Sequence, residues 1–292
     1  MDAEAGGIIR IGPAGWSYPD WKGIVYPPGM PKNRHPLSLL SGWFDTVEVN
    51  SSFYRLPDPN HAVAWIHQVE HNPRFLFTVK LWQGFTHEGE WPGDAAVRAY
   101  ARGILPFLDA GRLGAVLAQF PWSFRRTPEA RRRLAQIAVA FRELPLAVEV
   151  RHTSWDVPEF YASLKELGIA FCNIDQPVLH DCIPPSEKVT ARFAYARLHG
   201  RNAEHWFRAE SGRNDRYNYL YKGAELDEWV EKVRNMKKQV NDLFMITNNH
   251  YRGQAVVNAI EMQSALGILP QNPAPWLVDY YEQLKACRTG AE

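Results

Sequence analysis

The sequence predicts a single-domain α/β protein built as a parallel (β/α)8 barrel of the TIM type. Eight short runs rich in β-forming residues alternate with helix-patterned intervals along the chain. Polar residues recur at the carboxyl ends of these runs, which is where barrels of this kind carry their active sites. An open doubly wound sheet is the alternative, but the early turn GPAG at 12–15 lacks the GxGxxG spacing of such folds.

The predicted strands follow in chain order, and helical intervals lie between them. We assign strands to residues 8–16, 46–54, 74–82, 113–121, 146–155, 169–176, 193–201 and 243–250. The intervals carry helical patterns, and several of them end at Gly or Asn just before the next strand. The first interval, 17–45, is less regular, and the longest loop runs from 200 to 223. A loop of that length in a compact domain is usually functional or mobile.

Two regions are predicted along the chain. The barrel should span 8–268, and a C-terminal helical tail over 269–292, which contains PWLVDYYEQLKACR, should pack on its outside. We find no low-complexity tract and no interdomain linker.

Composition limits the functional classes. Of 292 residues, 46% are hydrophobic and 22% charged, which is typical of a globular protein. The net charge of +1 gives no overall field that favours nucleic acid or an anionic membrane. Three cysteines without paired spacing indicate free thiols. The start of the chain does not resemble a secretory signal, and no apolar run reaches the roughly 18 residues of a membrane helix, so a cytoplasmic location is expected.

Alternation within the strands predicts which side chains face the barrel axis. In TVEVN the two valines must face the covering helices, so Glu48 and Asn50 point inward. In the last strand, either Asn248 and His250 or Thr247 and Asn249 face inward. The same reasoning assigns to the interior Thr78, Lys80, Gln119, Glu149, Arg151, Phe171, Asn173, Asp175, Tyr195, Arg197 and His199.

This predicted pocket combines three carboxylates with three cations. Buried charges must pair or change their protonation state. We expect Glu48 and Glu149 to form an acid–base pair, and His199 to transfer protons near neutral pH. Lys80, Arg151 and Arg197 suit a carboxylate or phosphate of a ligand.

A metal site is the alternative for the same region. Glu149, Asp175, His199 and His250 are residue types that bind divalent ions. The neighbouring cations would compete for these carboxylates, and no HxH or HExxH spacing is present. We therefore predict neither a metal nor an organic cofactor, for which no fingerprint is found.

Seven ordered motifs resemble those of a known family. They are GWSYPDWKGIVYP, TVEVNSSFYRLP, FTVKLWQGFTH, LGAVLAQFPWSF, VEVRHTSW, ARLHGR and NNHYRGQAVVNA. They are similar to the YecE-like family, domain of unknown function 72, over residues 8–268. The resemblance implies a TIM-type barrel with a polar cavity at the carboxyl ends of its strands, and it implies no established reaction. The chain departs from the family pattern at Pro13, Ala14 and Thr247.

The leading functional hypothesis is an enzyme (a hydrolase, lyase or isomerase) acting on a polar or anionic small molecule or a sugar derivative. A nucleic-acid-binding or endonuclease-like barrel is a less favoured alternative, based on the Arg-rich loop 201–216 and many aromatic residues. A non-catalytic ligand-binding protein is another. The predicted substrate-binding residues are Trp16, Asn50, Tyr54, Lys80, His87, Gln119, Arg151, Trp155, Asp175, Arg197, Arg201, Asn248, Asn249 and His250.

Overall fold

The computed structural model describes residues 8–31, 33–206, 208, 212–268 and 273–287. Within these ranges, strands and helices alternate along the chain. The strands are β1 (Ile8–Pro13), β2 (Thr46–Val49), β3 (Leu76–Lys80), β4 (Leu113–Gln119), β5 (Leu146–Glu149), β6 (Ala170–Asp175), β7 (Phe193–Leu198) and β8 (Asp242–Thr247).

The helices occupy the intervals and the segments that follow strand ends. They are α1 (Pro36–Leu40), α2 (Ser51–Tyr54), α3 (Pro59–Gln68), α4 (Gln83–Thr86), α5 (Gly93–Asp109), α6 (Pro128–Ala140), α7 (Pro158–Glu166), α8 (Ala203–Trp206), α9 (Arg213–Arg216), α10 (Gly223–Lys237), α11 (Gln254–Ala265) and α12 (Pro275–Tyr280). Short 3-10 turns lie at Pro19–Trp21, Thr153–Trp155, Tyr251–Gly253 and Glu282–Cys287. No helix of the described ranges is long and apolar enough to cross a lipid bilayer.

All the strand pairs are parallel, and their order closes the sheet into a barrel. The order is β1-β8-β7-β6-β5-β4-β3-β2. β1 and β2 meet through one parallel bridge between Ala14 and Glu48, with the Gly15 N–H donating to the Glu48 carbonyl at 2.9 Å. The predicted (β/α)8 architecture is confirmed.

Several strands end earlier than the sequence pattern predicted. The run 46–54 is a strand only to Val49, and its last residues form α2, where the Ser52 hydroxyl donates to the Lys80 carbonyl at 2.7 Å. The run 146–155 likewise ends at Glu149 and leads into the turn Thr153–Trp155. In both cases β-forming residues continue past the sheet, and their burial differs: Trp155 is buried, whereas Tyr54 is 59% exposed.

The tail contains α12 and the 3-10 turn that follows it. Leu277 and Leu284 are fully buried in the main core cluster, and the Trp276 indole N–H donates to the Val25 carbonyl at 3.1 Å. Residues 269–272 and 288–292 of the predicted tail lie outside the described ranges.

Two apolar layers surround and fill the barrel. Strand residues such as Val47, Phe77 and Val148 pack outward against the helices in one large cluster. A smaller cluster fills the amino-terminal part of the interior with Ala115, Leu117, Ala147, Ala170, Cys172, Ile174, Phe193, Tyr195, Phe244 and Ile246. The apolar interior closes the barrel from below, so that the polar inner residues lie at the carboxyl end, as barrels of this type require.

Candidate functional site

A buried arginine joins the two predicted catalytic glutamates. Arg197, which is 1% exposed, donates from Nη2 to Glu48 Oε1 at 2.7 Å and from Nη1 to Glu149 Oε2 at 2.6 Å. The second oxygen of Glu48 contacts the Tyr195 hydroxyl at 3.0 Å, and that hydroxyl also contacts Thr78 Oγ1 at 2.9 Å. The inward alternation predicted for β2, β3, β5 and β7 thus brings these five side chains together.

Glu149 is bound by three cationic or polar groups. Besides Arg197, Arg151 donates to Glu149 Oε1 from Nε at 2.8 Å and from Nη2 at 2.7 Å, and His199 Nε2 lies 3.2 Å from the same oxygen. Burial alone would raise the pKa of Glu149, but Arg197, Arg151 and His199 together outweigh burial and hold the pKa well below its usual range. Glu149 therefore stays ionised at neutral pH.

The hydrogen bonds of His199 fit a neutral imidazole. Its Nδ1 accepts from the Asn248 side-chain amide at 2.9 Å, which leaves the proton on Nε2, where it faces Glu149. Burial lowers the pKa of His199 to about 3, with Arg151 acting in the same direction and Glu149 against it. The predicted proton transfer near neutral pH therefore has no support in the surroundings of this ring.

A cavity of about 300 Å³ opens above this network at the mouth of the barrel. Its size lies at the lower end of the range for small-molecule sites. It is lined by Asn50, Tyr54, Lys80, Gln119, Arg151, Arg197, Arg216, Tyr217, Asn248 and His250. Eight of these ten residues belong to the predicted set. Glu48 and Glu149 are fully buried beneath it and do not contribute to its walls.

Lys80 presents a buried amine to the cavity. Its Nζ donates to Gln119 Oε1 at 2.8 Å and lies 4.1 Å above the centre of the Phe53 ring. No carboxylate of a described residue forms an ion pair with it. Burial and the nearby Arg197 lower the pKa of Lys80 to about 7, although Glu48 and Glu149 act in the opposite direction. A substantial fraction of this amine is therefore unprotonated near neutral pH.

Two residues of the cavity were missed by the sequence reasoning. Arg216 and Tyr217 belong to the long loop between β7 and α10 and cover the cavity from above. The signals in the sequence were the predicted functional role of loop 200–223 and the arginines of 201–216, because a loop with only single helical turns has no periodicity from which to infer a direction. Among the described residues, the buried Nε of Arg216 has no hydrogen-bond partner.

Asp175 faces away from the barrel axis, and its predicted inward orientation is wrong. In β6 the alternate residues Ala170, Cys172 and Ile174 fill the interior, whereas Phe171, Asn173 and Asp175 face the helices. Both faces of this strand are buried, so the polar residues gave a misleading register. Asn173 packs on Met236 of α10, and Asp175 accepts from the Trp229 indole N–H of the same helix.

Asp175 anchors the base of the loop that covers the cavity. Arg201 donates to both oxygens of Asp175, at 2.9 Å to Oδ1 and 2.6 Å to Oδ2, and the Tyr221 hydroxyl donates to Oδ1 at 3.0 Å. The loop starts at Gly200, whose φ of +94° is in the left-handed region and where an added Cβ would lie 2.7 Å from Tyr219 Cβ. Asp175 and Arg201 thus position the loop that carries Arg216.

Asn249 and Trp155 also lie outside the cavity walls. In β8, Phe244 and Ile246 face inward, so of the two alternatives the structure has Asn248 and His250 facing the cavity. Asn249 faces the other way and donates to Asn258 of α11 at 2.8 Å. Trp155 stacks on Phe124, outside the strands.

Trp16 and His87 line two other pockets, each separate from the mouth cavity. Trp16 packs edge-on against Trp65 at 5.0 Å and lines a separate pocket near the amino-terminal loop. His87 packs against Phe53 at 4.9 Å and lines a groove next to the mouth. Burial and the charge of Lys80 lower the pKa of His87 to about 4, so its ring is neutral at physiological pH.

The candidate metal ligands do not converge. Asp175 belongs to the outer layer, and His250 stacks on Tyr18 with ring centres 4.4 Å apart. In the part of the chain that the structure describes, no group of three or more His, Cys, Asp or Glu side chains is arranged to hold a metal ion. Cys172 lies 3.9 Å from Glu149 Oε2, and burial raises the pKa of its thiol well above the usual value.

Comparisons with known proteins agree with the motifs. The family model described as "Protein of unknown function DUF72" matches residues 10–278. The UPF0759 protein YunF of Bacillus subtilis (strain 168) is 30% identical over 288 residues, which cover 94% of this chain and 100% of that protein. The crystal structure of a DUF72 family protein from Thermotoga maritima MSB8 is similar with a TM-score of 0.78 and 34% identity, covering 89% of this chain and 99% of that one. The crystal structure of a DUF72 family protein from Enterococcus faecalis V583 is similar with a TM-score of 0.78 and 28% identity, covering 89% of this chain and 96% of that one. The chain therefore belongs to the DUF72 family.

Proposed function

We propose that this DUF72-family barrel is an enzyme that binds a small organic anion in the mouth cavity and uses the Lys80 amine as its reacting group. The observation that carries the proposal is a buried lysine that faces a cavity among three arginines and has no carboxylate partner among the described residues. A lysine in such surroundings serves enzymes as a base or a nucleophile, because burial lowers its affinity for a proton.

The charges of the cavity favour an anionic ligand. Four cationic side chains, Lys80, Arg151, Arg197 and Arg216, line it, and no carboxylate of a described residue does. The two nearest carboxylates are bound to Arg197 and Arg151 below the floor. Three guanidinium groups face these two carboxylates, so a ligand with one negative charge would balance the site when Lys80 is unprotonated, and a ligand with two would balance it when Lys80 is protonated.

Hydrogen-bonding capacity remains for such a ligand. Among the described residues, the guanidinium of Arg151 uses Nε and Nη2 for Glu149 and leaves Nη1 without a partner, and the Nε of Arg216 is also unpaired. Guanidinium groups suit the two oxygens of a carboxylate or phosphate. Amide side chains of Asn50, Gln119 and Asn248 add donors and acceptors for hydroxyl or carbonyl oxygens of a small polar molecule.

In this proposal the two glutamates have a positioning role. Glu48 and Glu149 use their carboxylate oxygens to hold Arg197, Arg151, Tyr195 and His199. A general acid or base must be within hydrogen-bond reach of the reacting group, and a lining residue meets that condition better than a buried one. The acid–base pair expected from the sequence therefore gives way, in this proposal, to Lys80.

Proton exchange on bound ligands tests the proposal. A panel of small organic acids and sugar phosphates in deuterium oxide, followed by proton NMR, should contain a compound whose C–H signal disappears or is converted with the wild-type protein. Lys80→Met should abolish this change and still bind the compound in calorimetry, because the guanidinium groups remain. Conversion that persists in Lys80→Met would overturn the assignment of Lys80, and binding that is equal in Arg216→Gln would overturn the assignment of the cavity.

One observation weighs against the nucleic-acid alternative. Its Arg-rich loop includes Arg201, which is held by Asp175, Glu225 and Glu228 and so is not available to a phosphate backbone. Titration with single-stranded DNA at two salt concentrations discriminates, since phosphate contacts give affinity that falls steeply with salt. Salt-dependent binding that Arg208→Gln weakens would support this alternative.

A further inference from the structure

We propose that Lys80 forms an imine with a small carbonyl compound that carries a carboxylate or phosphate group. This inference rests on the proposed function and names the substrate class for the same cavity. An anionic group on the substrate would bind the arginines, and its carbonyl carbon would face the Lys80 amine.

The arrangement around Nζ suits a nucleophile. Gln119 Oε1, an acceptor, holds one N–H at 2.8 Å, and the Phe53 ring lies against the amine at 4.1 Å. Neither group neutralises an ammonium by ion pairing. An unprotonated amine that donates one hydrogen bond to Gln119 keeps its lone pair for a carbon atom in the cavity.

A structural lysine would have different surroundings. Buried ammonium groups in proteins are paired with carboxylates, because an isolated buried charge is costly. Here the two adjacent carboxylates, Glu48 and Glu149, are bound to Arg197 instead. The guanidinium groups of Arg151 and Arg197 already suffice to attract an anion, so a pure anion-binding role does not require the buried amine.

The step balances without an oxidant or a metal. The Nζ lone pair attacks the carbonyl carbon, the carbonyl oxygen takes up a proton and becomes a hydroxyl, and the nitrogen loses its own proton. That hydroxyl then leaves as water together with the remaining N–H proton, which forms the C=N bond. The net change is amine plus carbonyl compound to imine plus water, and the hydroxyl groups of Tyr54 and Tyr217 line the same cavity as sources of protons.

Borohydride trapping tests the inference on the full chain. The protein is incubated at pH 7 with pyruvate, with glycolaldehyde phosphate or with uncharged glycolaldehyde, reduced with borohydride and mapped by peptide mass spectrometry. Lys188 serves as an internal reference, because it is exposed and also lies over an aromatic ring, that of Tyr161 at 4.7 Å. We expect labelling of Lys80 to be at least about tenfold faster than labelling of Lys188, since only a small fraction of an ordinary lysine is unprotonated at this pH.

Comparison of the two charged probes identifies the charged group of the substrate. Faster labelling by pyruvate indicates a carboxylate, and faster labelling by glycolaldehyde phosphate indicates a phosphate. Arg216→Gln should slow the charged probe at Lys80 at least about tenfold, the factor that roughly 1.4 kcal/mol of lost binding gives, and should leave uncharged glycolaldehyde unaffected.

The outcomes separate the two proposals. Calorimetry with phosphate and acetate, which have no reactive carbonyl, measures anion binding alone. If these anions bind and Arg216→Gln weakens them, but Lys80 labels no faster than Lys188, the imine inference is overturned and the proposed function stands. If neither anion binds and Lys80 is not labelled preferentially, both are overturned.

Discussion

Replacing Lys80 with methionine should change how the stability of the protein depends on pH. The pKa of Lys80 is about 7 in the folded protein because the amine is buried near Arg197, whereas an unfolded chain gives lysine a pKa of about 10.4. Between these two values the unfolded chain holds a proton that the folded protein has released. Unfolding then takes up a proton, so the wild-type protein becomes more stable as pH rises through this window.

The size of the effect follows from the pKa difference. Roughly three pKa units correspond to about 4 to 5 kcal/mol over the whole window, of which about 2 to 3 kcal/mol falls between pH 6 and 9. Methionine has no charge to bury, so the Lys80→Met variant lacks this term. We therefore expect the wild type to gain about 2 to 3 kcal/mol relative to the variant from pH 6 to 9, with Lys80→Met the more stable protein at the acidic end.

Urea unfolding at fixed temperature over this pH range measures the difference. Lys188→Met is the matched control, because Lys188 also lies over an aromatic ring and is exposed to solvent. Its stability should run parallel to that of the wild type. The reasoning is refuted if Lys80→Met also runs parallel to the wild type, since the folded protein would then hold the Lys80 proton as tightly as the unfolded chain.

Three further predictions concern the groups around the cavity. Glu149→Gln should lower the free energy of unfolding by about 3 to 5 kcal/mol at pH 7, because it leaves buried guanidinium groups without their counter-charge. Urea unfolding measures this loss, with a change at an exposed residue, Glu143→Gln, as the control. A loss of stability equal to that of the control would contradict the prediction. Because the folded pKa of Glu149 is depressed, its stabilising effect should be present above about pH 4 and be lost as pH falls further, so the variant should show a flatter acid limb of stability. Arg216→Gln should weaken phosphate binding about tenfold or more in calorimetry. The melting temperature should stay unchanged, because the buried Nε of Arg216 forms no hydrogen bond among the described residues. Unchanged phosphate affinity would remove Arg216 from the site. Asp175→Asn should destabilise the protein by about 2 to 3 kcal/mol, the value of a charge-assisted hydrogen bond, and should also weaken phosphate binding. The control Asp242→Asn affects an ion pair with Arg10 at the other end of the barrel and should leave phosphate binding intact. Equal binding in both variants would argue against a role of Asp175 in positioning the loop.

The sequence predicted the barrel and most of the cavity for one physical reason. In a closed parallel barrel the outward face must be apolar, so the valines of β2 and β5 determine that Glu48, Glu149 and Arg151 point inward. The same reason accounts for Asn50, Lys80, Gln119 and Arg197 in the cavity lining. Asn248 and His250 were one of two alternatives for β8, and Tyr54 was predicted from a motif shared with the family.

The failures have equally specific causes. In β6 both faces are buried, and the polar residues Asn173 and Asp175 are on the outer face, where they bond to α10. The rule that the outer face is apolar therefore assigned Asp175 to the wrong side. Arg216 and Tyr217 belong to a loop, where no periodicity predicts a direction. The contrast between a bound Glu149 and an unpaired Lys80 depends on distances of a few ångströms, which residue types alone do not determine.

The most direct test of the account is the titration of the Lys80 amine itself. Carbon NMR of a protein with lysine labelled at Cε gives the pKa of each lysine, and the signal that is missing in Lys80→Met identifies Lys80. The account predicts a midpoint near pH 7 that moves upward when phosphate is added, because a bound anion stabilises the ammonium form. A midpoint near the ordinary value of about 10.4 that phosphate does not shift would contradict it.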